Sequence, residues 1–450
     1  MIETVTDVDR FYSENLEGDW IVHIVPVEDN VHSADNIPSI LFIHNILIDK
    51  TYYYACNHPD STPKPEIRPF LQEVWHRRTI KKIWAIDKKA FEQFKLSDVN
   101  DANLCGFLCY NDILDVSDYE TEAHALIRRN SNGLGKINIV IPLMKHKEAF
   151  DEMCGDIKQM IRKFKIDNSY SEFNKIIHTL GEIEANGIYV DAALFEKHFE
   201  VKPNKRGMVY SKYNTYTSTG RPANSYGGIN YAALKHNDGS RSCFVSRYGN
   251  DGRIVVIDYT AFHPRIVCNL IKYNIPIETD IYQYLAKLYF QKKEIDEIDI
   301  KNAKQLTFRQ FYGGIDEKYS HIKYLANLKL YVNEQWGLFQ SRGYIETPIF
   351  KRKITNKHIK DPNPEKVFNY ILQATEGEIA IPQVQLVLDY LKEKQTKVIM
   401  YIYDSILLDF HKNDGFDTLN KIRQLMSCNS MFPMKTYIGN SYDDVKLLSA

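Results

Sequence analysis

The sequence predicts a mixed α/β protein with two or three domains. A chain of 450 residues is too long for a single hydrophobic core. Residues 253–257 (RIVVI) are mostly β-branched and predict a buried strand, and the apolar residues after Asp258 recur at helical spacing. Residues 398–403 and 406–410 predict the two strands of a hairpin. Strands and helices therefore share the C-terminal half of the chain.

The composition is typical of a water-soluble globular protein. Apolar residues make up 44% of the chain, but no apolar run is long enough to span a membrane. Seven scattered cysteines and the lack of a secretory signal predict a cytoplasmic location, which would be the infected host cytoplasm if the protein is viral. Cys105 and Cys109 have no second pair that could complete a zinc site. A net charge of −1 means that any nucleic acid must bind local patches.

Residues 1–165 show strand signals without a clear chemical motif. Strands are predicted at residues 20–27, 37–45, 83–86 and 138–142, and a helix begins at residues 90–94. Downstream there is room for one helix, at about residues 192–200.

Two basic patches follow. Residues 201–247 hold eight basic residues and one acidic residue, interleaved with tyrosines. This composition suits a surface that follows a nucleic-acid backbone and stacks on bases. A smaller basic patch spans residues 351–360, and a solvated loop is an equally good interpretation of it.

Two aspartates stand at predicted strand ends. Asp258 follows the strand at 253–257, and Asp404 lies at the tip of the predicted hairpin. Two carboxylates on adjacent strand ends are what a pair of magnesium ions needs for in-line phosphoryl transfer. Each aspartate alone is more simply interpreted as an ordinary turn residue.

The stretch between the aspartates, KNAKQLTFRQFYGG, predicts a helix that ends at Gly313 and Gly314. Lys304, Phe308 and Tyr312 are four residues apart and share one face. Such a face can hold a triphosphate, a base and a templating strand. An amphipathic core helix with a solvated lysine is the simpler alternative.

Together these motifs resemble a family A DNA polymerase of a short, phage-like type. Seven elements occur in the family's order over about half of the chain: Thr219-Gly220-Arg221; Asn230; Arg241 with Phe244; Asp258-Tyr259 with Arg265; Lys304, Phe308, Tyr312 and Gly313; Gly343 to Thr347 with Asn369 and Gln373; and Tyr403-Asp404. The resemblance implies a right-hand polymerase fold and a preceding RNase H-like 3′–5′ exonuclease-like domain.

The resemblance also implies domain boundaries. The exonuclease-like domain would span residues 1–165 and the polymerase domain residues 166–450. Within the polymerase domain, the opening helix and the thumb would take residues 166–218. The palm would take residues 219–278 and 379–450, and the fingers would take residues 279–378. Only 27 residues separate Asp191 from Thr219, so the thumb must be strongly reduced.

Residue roles follow from the same resemblance. Asp258, Asp404 and the backbone carbonyl of Tyr259 would hold two magnesium ions, with manganese as a substitute, and Lys304 would stabilise the phosphates. Nucleotide binding is assigned to Tyr259, His263, Lys301, Lys304, Phe308 and Tyr312. Primer and template binding is assigned to Arg221, Asn230, Arg241, Tyr312, Gly313, Asn369, Gln373 and Tyr403. The expected partners are primer-template DNA, dNTPs and, because the thumb is short, a processivity factor or other replication proteins.

The polymerase motifs depart from the family at three positions. His263 replaces a Glu that excludes the 2′-hydroxyl of ribose, so sugar selection is expected to be relaxed. Ile300 replaces an Arg, whose phosphate contact Lys301 would take over. Ser405 replaces the Glu of the third motif.

The exonuclease motifs depart further. The family needs four carboxylates, but the first strand has no acid before Glu28, and Phe150 and Cys154 stand where Tyr and Asp are expected. Only Asp87 matches. The domain is therefore predicted to be inactive, and an unrelated α/β domain is the alternative.

Three functions stay open. A template-dependent DNA polymerase without proofreading and with low intrinsic processivity is favoured. An RNA polymerase or primase-like relative is favoured by the Tyr-Asp-Ser of the third motif and by the missing Glu. A non-catalytic nucleic-acid-binding protein is disfavoured, because Asp258, Lys304, Tyr312 and Asp404 are all present.

Overall fold

The structure, a computed structural model, describes residues 5–14, 17–29, 31–60, 67–77, 82–96, 98–130, 137–236 and 238–448. The chain forms two compact units, Met1–Gly181 and Glu182–Ala450, here called the N-terminal and C-terminal units. The division falls within a long helix, whereas the sequence places a boundary before that helix, at residue 165. The predicted mixed α/β class is confirmed.

The N-terminal unit contains a five-stranded sheet and flanking helices. Its strands are β1 (Trp20–Pro26), β2 (Pro38–Asn45), β3 (Lys50–Ala55), β4 (Ile83–Ala85) and β5 (Val99–Asp101). Its helices are α1 (Val5–Glu14), α2 (Ile67–Arg77), α3 (Ala102–Tyr110), α4 (Glu122–Asn130) and α5 (Leu143–Lys163), and α6 (Asn168–Asn186) continues into the C-terminal unit. Short 3-10 segments cover Lys88–Phe94, Val116–Tyr119 and Asn138–Val140.

The sheet of the N-terminal unit has the strand order β3-β2-β1-β4-β5. The first three strands form an antiparallel meander, and β4 and β5 continue the sheet in parallel with β1. Side chains such as Trp20, Val22 and Leu41 are buried in its core. The buried runs of β1 and β2 explain why these two strands were predictable from the sequence.

One predicted strand of this unit is wrong. Residues 138–142 begin with a 3-10 turn, Asn138–Val140, in place of a strand. The side-chain amide of Asn138 donates to the Pro26 carbonyl at 3.1 Å and to the Asp29 carboxylate at 2.7 Å. Local hydrogen bonds of this kind compete with a strand ladder and favour a turn.

The C-terminal unit contains a larger set of elements. Its helices are α7 (Ala192–Phe199), α8 (Phe262–Leu270), α9 (Ile281–Phe290), α10 (Glu297–Gly313), α11 (Lys323–Arg342), α12 (Pro364–Tyr390) and α13 (Phe416–Met426). Its short strands are β6 (Ile188–Tyr189), β7 (Met208–Val209), β8 (Tyr213–Asn214), β9 (Ala223–Tyr226), β10 (Ile229–Asn230), β12 (Tyr344–Glu346) and β13 (Lys353–Thr355). Its main sheet comprises β11 (Gly252–Tyr259), β14 (Lys397–Ile402), β15 (Ser405–His411), β16 (Met434–Gly439) and β17 (Lys446–Leu447).

The main sheet is antiparallel, with the order β14-β15-β11-β16-β17. The central strand β11 pairs along its length with β15, from Gly252 opposite His411 to Asp258 opposite Ser405. Ile254, Val255 and Ile257 are fully buried, so the strand is covered on both faces. The predicted strand at 253–257 and the predicted hairpin are confirmed.

Helices α9 and α10 pack together, helices α11 and α12 pack together, and α10 also contacts α12. The longest of them, α12, contributes buried side chains such as Val367, Ile371 and Ile381. No helix in the described part of the chain is long and apolar enough to cross a membrane.

The segment between Asp191 and the Thr219-Gly220-Arg221 element contains one short helix. Residues 192–218, all of which the structure describes, contain one eight-residue helix, α7, followed by the short strands β7 and β8. Asp191 caps α7 by accepting from the Leu194 amide at 3.0 Å. This segment holds no long helical pair.

The basic patches differ from the sequence-based interpretation. Tyr210, Tyr213 and Tyr231 of residues 201–247 are buried, so they cannot stack on bases from the surface. In the second patch, Arg352 is fully buried beside Glu378, and its guanidinium donates to the Ser218 carbonyl at 3.0 Å. Tyrosine at strand spacing fits a core as well as a binding surface, and composition alone does not distinguish them.

Arg247 of the first patch has a structural role as well. Its guanidinium contacts the fully buried carboxylate of Asp409 on β15 at 2.7 Å. The same guanidinium donates to the carbonyls of Asn186 and Gly187 at 3.1 and 2.8 Å. The ion pair therefore fastens the end of α6 to the main sheet, and it takes Arg247 away from nucleic-acid binding.

Asp409→Asn should lower the free energy of unfolding by about 3 kcal/mol, because the partly buried Arg247 guanidinium would lose the fully buried carboxylate that it pairs with. Urea denaturation of the full chain measures this change. Asp389→Asn is the matched control, since the Asp389–Lys392 pair lies on the surface at 2.6 Å and should contribute little. Equal losses for the two variants would contradict the structural role of Arg247.

Candidate active site

Asp258 and Asp404 meet at one end of the main sheet. Asp258 is the penultimate residue of β11, and Asp404 lies in the tight turn between β14 and β15. The amide of Tyr259 donates to the Asp404 carbonyl at 2.9 Å, which ties the two strand ends together. Tyr403, the other turn residue, takes a left-handed conformation with φ 57°. The structure thus places both aspartates where the sequence predicts them.

Both carboxylates have a raised pKa. The pKa of Asp258 is raised to about 7, mainly by burial and secondly by the negative charge of Asp404. The pKa of Asp404 is also raised, mainly by burial and secondly by the negative charge of Glu376. Lys304 and Lys435 oppose the shift at Asp258, while Arg221 and His263 oppose it at Asp404.

This pair fits a divalent cation. Carboxylate oxygens are ligands that Mg²⁺ prefers, and a nearby cation would stabilise the charged form of both carboxylates. The described residues contain no group of three or more His, Cys, Asp or Glu side chains arranged to hold a metal. Backbone carbonyls, water and substrate phosphates are the other ligands that Mg²⁺ usually takes.

Tyr259 can contribute only its backbone to such a site. Its ring is buried, stacks on Phe262 at 3.9 Å between centroids, and donates its hydroxyl to the Met426 carbonyl at 2.5 Å. A nucleotide-binding role for the Tyr259 side chain is therefore wrong. Its backbone carbonyl stays a candidate ligand.

Helix α10 presents the predicted face. The rings of Phe308 and Tyr312 are stacked, with centroids 5.9 Å apart and planes within 2°. The Lys304 ammonium lies 5.7 Å from the ring centroid of Tyr282, a residue of α9 that sequence analysis missed. Lys301 is exposed one turn earlier. The helix ends after Gly313, where Gly314 takes a positive φ of 88° that favours glycine.

His263 connects α10 to the residues beside the aspartates. Its Nδ1 lies 2.7 Å from the Tyr312 hydroxyl, and its Nε2 lies 2.5 Å from the Glu376 carboxylate. The other oxygen of Glu376 accepts from the Arg221 guanidinium at 3.1 and 3.2 Å. That guanidinium lies 3.6 Å above the ring of Tyr403.

Glu376 is the main residue that sequence reasoning missed. It is fully buried on α12, three positions after Gln373. The one available signal was an acid in the middle of a long helix, where a buried charge requires a partner. Its partners lie more than a hundred residues away, so the sequence could not name them.

The remaining predicted primer and template residues are more dispersed. Gln373 donates to Asn369 at 2.7 Å, one turn apart on α12. Asn230 is exposed and caps a short turn through the Ala232 amide. Arg241 donates to the Leu234 carbonyl at 2.7 Å and lies over the ring of Tyr442 at 4.4 Å. These contacts occupy Arg241 within the protein.

Arg265 also serves the fold. It is buried in α8, and its guanidinium donates to four backbone carbonyls of the following loop at 2.6–3.2 Å. These carbonyls belong to Ile275, Pro276, Ile277 and Thr279. The guanidinium thus fixes the connection between α8 and α9.

In the N-terminal unit, the predicted exonuclease positions are mostly apolar. His23 of β1 stacks on Phe150 of α5 at 6.1 Å, and Phe150 stacks on Phe42 at 5.1 Å. Cys154 is fully buried. Asp87 accepts from the Lys89 amide at 3.1 Å and caps the segment Lys88–Phe94. These described positions bring no carboxylates together.

The fold matches that of a known polymerase domain. No protein-family model and no curated protein matches the chain. Among solved structures, the POL domain of Pol1 from M. smegmatis, in complex with DNA primer-template and dNTP, is similar with a TM-score of 0.69. The sequence identity is 14%, and the match covers 96% of this chain and 97% of that chain.

The chain has a polymerase-domain fold. This confirms the polymerase fold that the resemblance to family A DNA polymerases implies, whereas the exonuclease-like assignment of residues 1–165 stays a prediction. The likeness at 14% identity establishes the fold, and the chemistry is argued from the residues of this chain.

The contribution of Asp258 to the stability of the metal-free protein, taken as the difference between the wild type and Asp258→Asn, should fall as the pH rises from about 4 to about 7. Because folding raises the pKa of Asp258 from 3.8 to about 7, the folded state binds more protons in this window, and stability falls as they are lost. Asp258→Asn should lack this contribution in urea denaturation with a chelator present, while Asp443→Asn, at an exposed site, should keep it. Magnesium should raise the Tm of the wild type at pH 8 but not that of Asp258→Asn. A difference in stability between the wild type and Asp258→Asn that stays constant between pH 4 and 7 would contradict the raised pKa of Asp258.

Proposed function

We propose that the chain is a template-dependent DNA polymerase that extends a primer 3′-hydroxyl with dNTPs by two-metal-ion phosphoryl transfer. The observation that carries the proposal is the meeting of Asp258 and Asp404 at one sheet end of a polymerase fold. The stacked face of α10 adds a phosphate-binding charge and two rings. The similar solved domain holds primer-template and dNTP, the substrates that we propose here.

The division of the C-terminal unit follows from this proposal. We assign the palm to residues 219–278 and 379–450, which include the main sheet. The fingers take residues 279–378, which include α9, α10, α11 and most of α12. Residues 166–218 form the opening helix and a reduced thumb. The palm then supplies both aspartates, and the fingers supply the helix that faces the nucleotide.

The chemistry depends on the positions of a few side chains. Asp258, Asp404 and the Tyr259 carbonyl would hold two magnesium ions, or manganese in their place. When bound, these ions lower the pKa of the primer 3′-hydroxyl and neutralise the charge on the triphosphate and the leaving pyrophosphate. The Lys304 ammonium stabilises charge that develops on the phosphates, and Lys301 adds a second positive charge.

Other residues would position the substrates. Phe308 packs against the incoming sugar and base, and Tyr312 stacks at the templating position. His263 borders the sugar. Asn369 and Gln373, together with Arg221, contact the minor groove, where base-pair acceptors are alike and shape is checked more than sequence.

The N-terminal unit would have an exonuclease-like fold without activity. The stack of His23, Phe42 and Phe150 supports this proposal, because aromatic rings cannot coordinate Mg²⁺ as carboxylates do. Asp87 already serves as a cap. The enzyme would then lack proofreading.

The short segment between Asp191 and Thr219 supports low intrinsic processivity. A single eight-residue helix gives little surface that could close over a duplex. Binding would then rest on phosphate neutralisation and weaken with salt. The enzyme would fill short gaps, or a partner protein would supply the clamp.

A second candidate is an RNA polymerase or primase-like enzyme. The observation that favours it is His263 at the position bordering the sugar, where an imidazole ring replaces a carboxylate. Extension with dNTPs and with NTPs, on the same primer-template, distinguishes the two candidates. A protein that binds primer-template but extends with neither would be the non-catalytic alternative.

Asp258→Asn or Asp404→Asn should abolish primer extension, with a loss of at least about a thousandfold, while primer-template binding changes little. The carboxylates act mainly on the transition state, so the loss falls on the chemical step. Gel-based extension and fluorescence anisotropy measure the two properties, and Asp443→Asn serves as the control. Substantial extension by either active-site variant would refute the two-metal assignment.

The protein should not shorten a labelled primer with a mismatched 3′ end in the presence of magnesium. The reason is the absence of a carboxylate cluster among the described exonuclease-like positions. The measurement is a time course without dNTPs, with Asp87→Ala as a comparison. Rapid shortening that disappears in Asp87→Ala would show that the N-terminal unit is a nuclease.

A further inference from the structure

The most unusual charge in the C-terminal unit belongs to Glu376. Its carboxylate is fully buried in the middle of α12, where an acid is costly unless it is paired. Both oxygens have partners on other elements: Oε2 contacts His263 Nε2 at 2.5 Å, and Oε1 contacts the Arg221 guanidinium at 3.1 and 3.2 Å. The sequence motifs that led to the proposed function assign no role to this residue.

Glu376 is the centre of a hydrogen-bonded chain of four side chains. His263, which contacts Glu376 through Nε2, is also hydrogen-bonded through Nδ1 to the hydroxyl of Tyr312 at 2.7 Å. We call Arg221, Glu376, His263 and Tyr312 the Glu376 chain. It links the end of α10 through α8 and α12 to the loop that carries Arg221, and from there to the Tyr403 ring beside Asp404.

The chemistry of the carboxylate fixes the imidazole. An ionised carboxylate can only accept hydrogen bonds, so Nε2 of His263 must carry the proton that it donates to Glu376. In the neutral imidazole, Nδ1 then accepts from the Tyr312 hydroxyl. The ring is held at both nitrogens and cannot rotate without breaking one contact.

We propose that Glu376 is a positioning residue that determines nucleotide selection, by holding His263 and, through it, Tyr312 against the palm. This inference rests on the proposed polymerase function. A ring that must exclude a 2′-hydroxyl by bulk works only if its place is fixed, since a small displacement leaves room for one oxygen. Glu376 supplies the fixed place, because it is buried and is itself held by Arg221.

Glu376→Gln tests the proposal with almost no change in shape. Both partners of Glu376 are donors, whereas an amide has one accepting and one donating end. The variant must therefore lose its contact with His263 or Arg221, or make Nε2 of His263 an acceptor, which moves the imidazole proton to Nδ1. Glu378→Gln is the matched control, because Glu378 is also buried on α12 but accepts from the Ile349 and Phe350 amides at 3.1 and 3.0 Å.

Steady-state extension gives the first readout. Glu376→Gln should raise the dNTP KM about tenfold, change kcat less, and lower the preference for dNTP over NTP about fivefold or more, as loss of a charge-assisted hydrogen bond would. Glu378→Gln should lower Tm without these changes. The effect of Glu376→Gln should largely vanish in a Tyr312→Phe background, since both act through one chain. Equal KM and preference changes in the two Gln variants, or full additivity with Tyr312→Phe, would overturn the proposal.

Imidazole ¹⁵N spectra of the full chain give a second readout that needs no activity. The His263 signals, assigned by comparison with His263→Ala, should show a proton on Nε2 in the wild type. Glu376→Gln should change them, Tyr312→Phe should shift Nδ1, and Glu378→Gln should do neither. Signals that are unchanged in Glu376→Gln would overturn the proposal. A wild type that extends no primer but shows these signals would instead refute the polymerase function alone.

Discussion

The antiparallel pairing of β11 with β15 is the constraint on which the site depends. Its register places Asp258 opposite Ser405, directly next to Asp404. Because side chains alternate across a strand, a slip of one residue would turn Asp258 to the opposite face and separate the two carboxylates. The buried side chains Ile254, Val255 and Ile257 fix that register, since a slip would expose them. The hydrophobic core and the chemistry are therefore set by the same hydrogen bonds.

Electrostatics at this sheet end show a second level of organisation. The aspartates repel each other, and the cations around them come from different elements: Lys304 from α10, Lys435 from β16 and Arg221 from a loop. Arg221 forms an ion pair with Glu376, lies over the ring of Tyr403 and lowers the pKa of Asp404 by its charge. No short stretch of sequence carries this arrangement, because each charge is positioned by the fold.

The sequence predicts those parts of the fold and site that depend on local patterns. The β-branched strand before Asp258, the hairpin around Asp404 and the four-residue spacing from Lys304 to Tyr312 are of this kind, and the structure contains all three. Glu376 could not be predicted, because its partners are distant in sequence. The sequence also could not show that Tyr210, Tyr213 and Tyr231 are buried, because burial is decided by contacts with other elements.

Arg265 has a consequence for how the helices next to the sheet can rearrange. Its guanidinium accepts no hydrogen bonds but donates to four backbone carbonyls of the loop after α8, at Ile275, Pro276, Ile277 and Thr279. Several hydrogen bonds to one charged group make this loop stiff, so it cannot absorb large changes in backbone angles. If α9 and α10 swing toward or away from the sheet, the hinge must lie beyond Thr279, at the start of α9. The arginine thereby sets the pivot about which this pair of helices can turn.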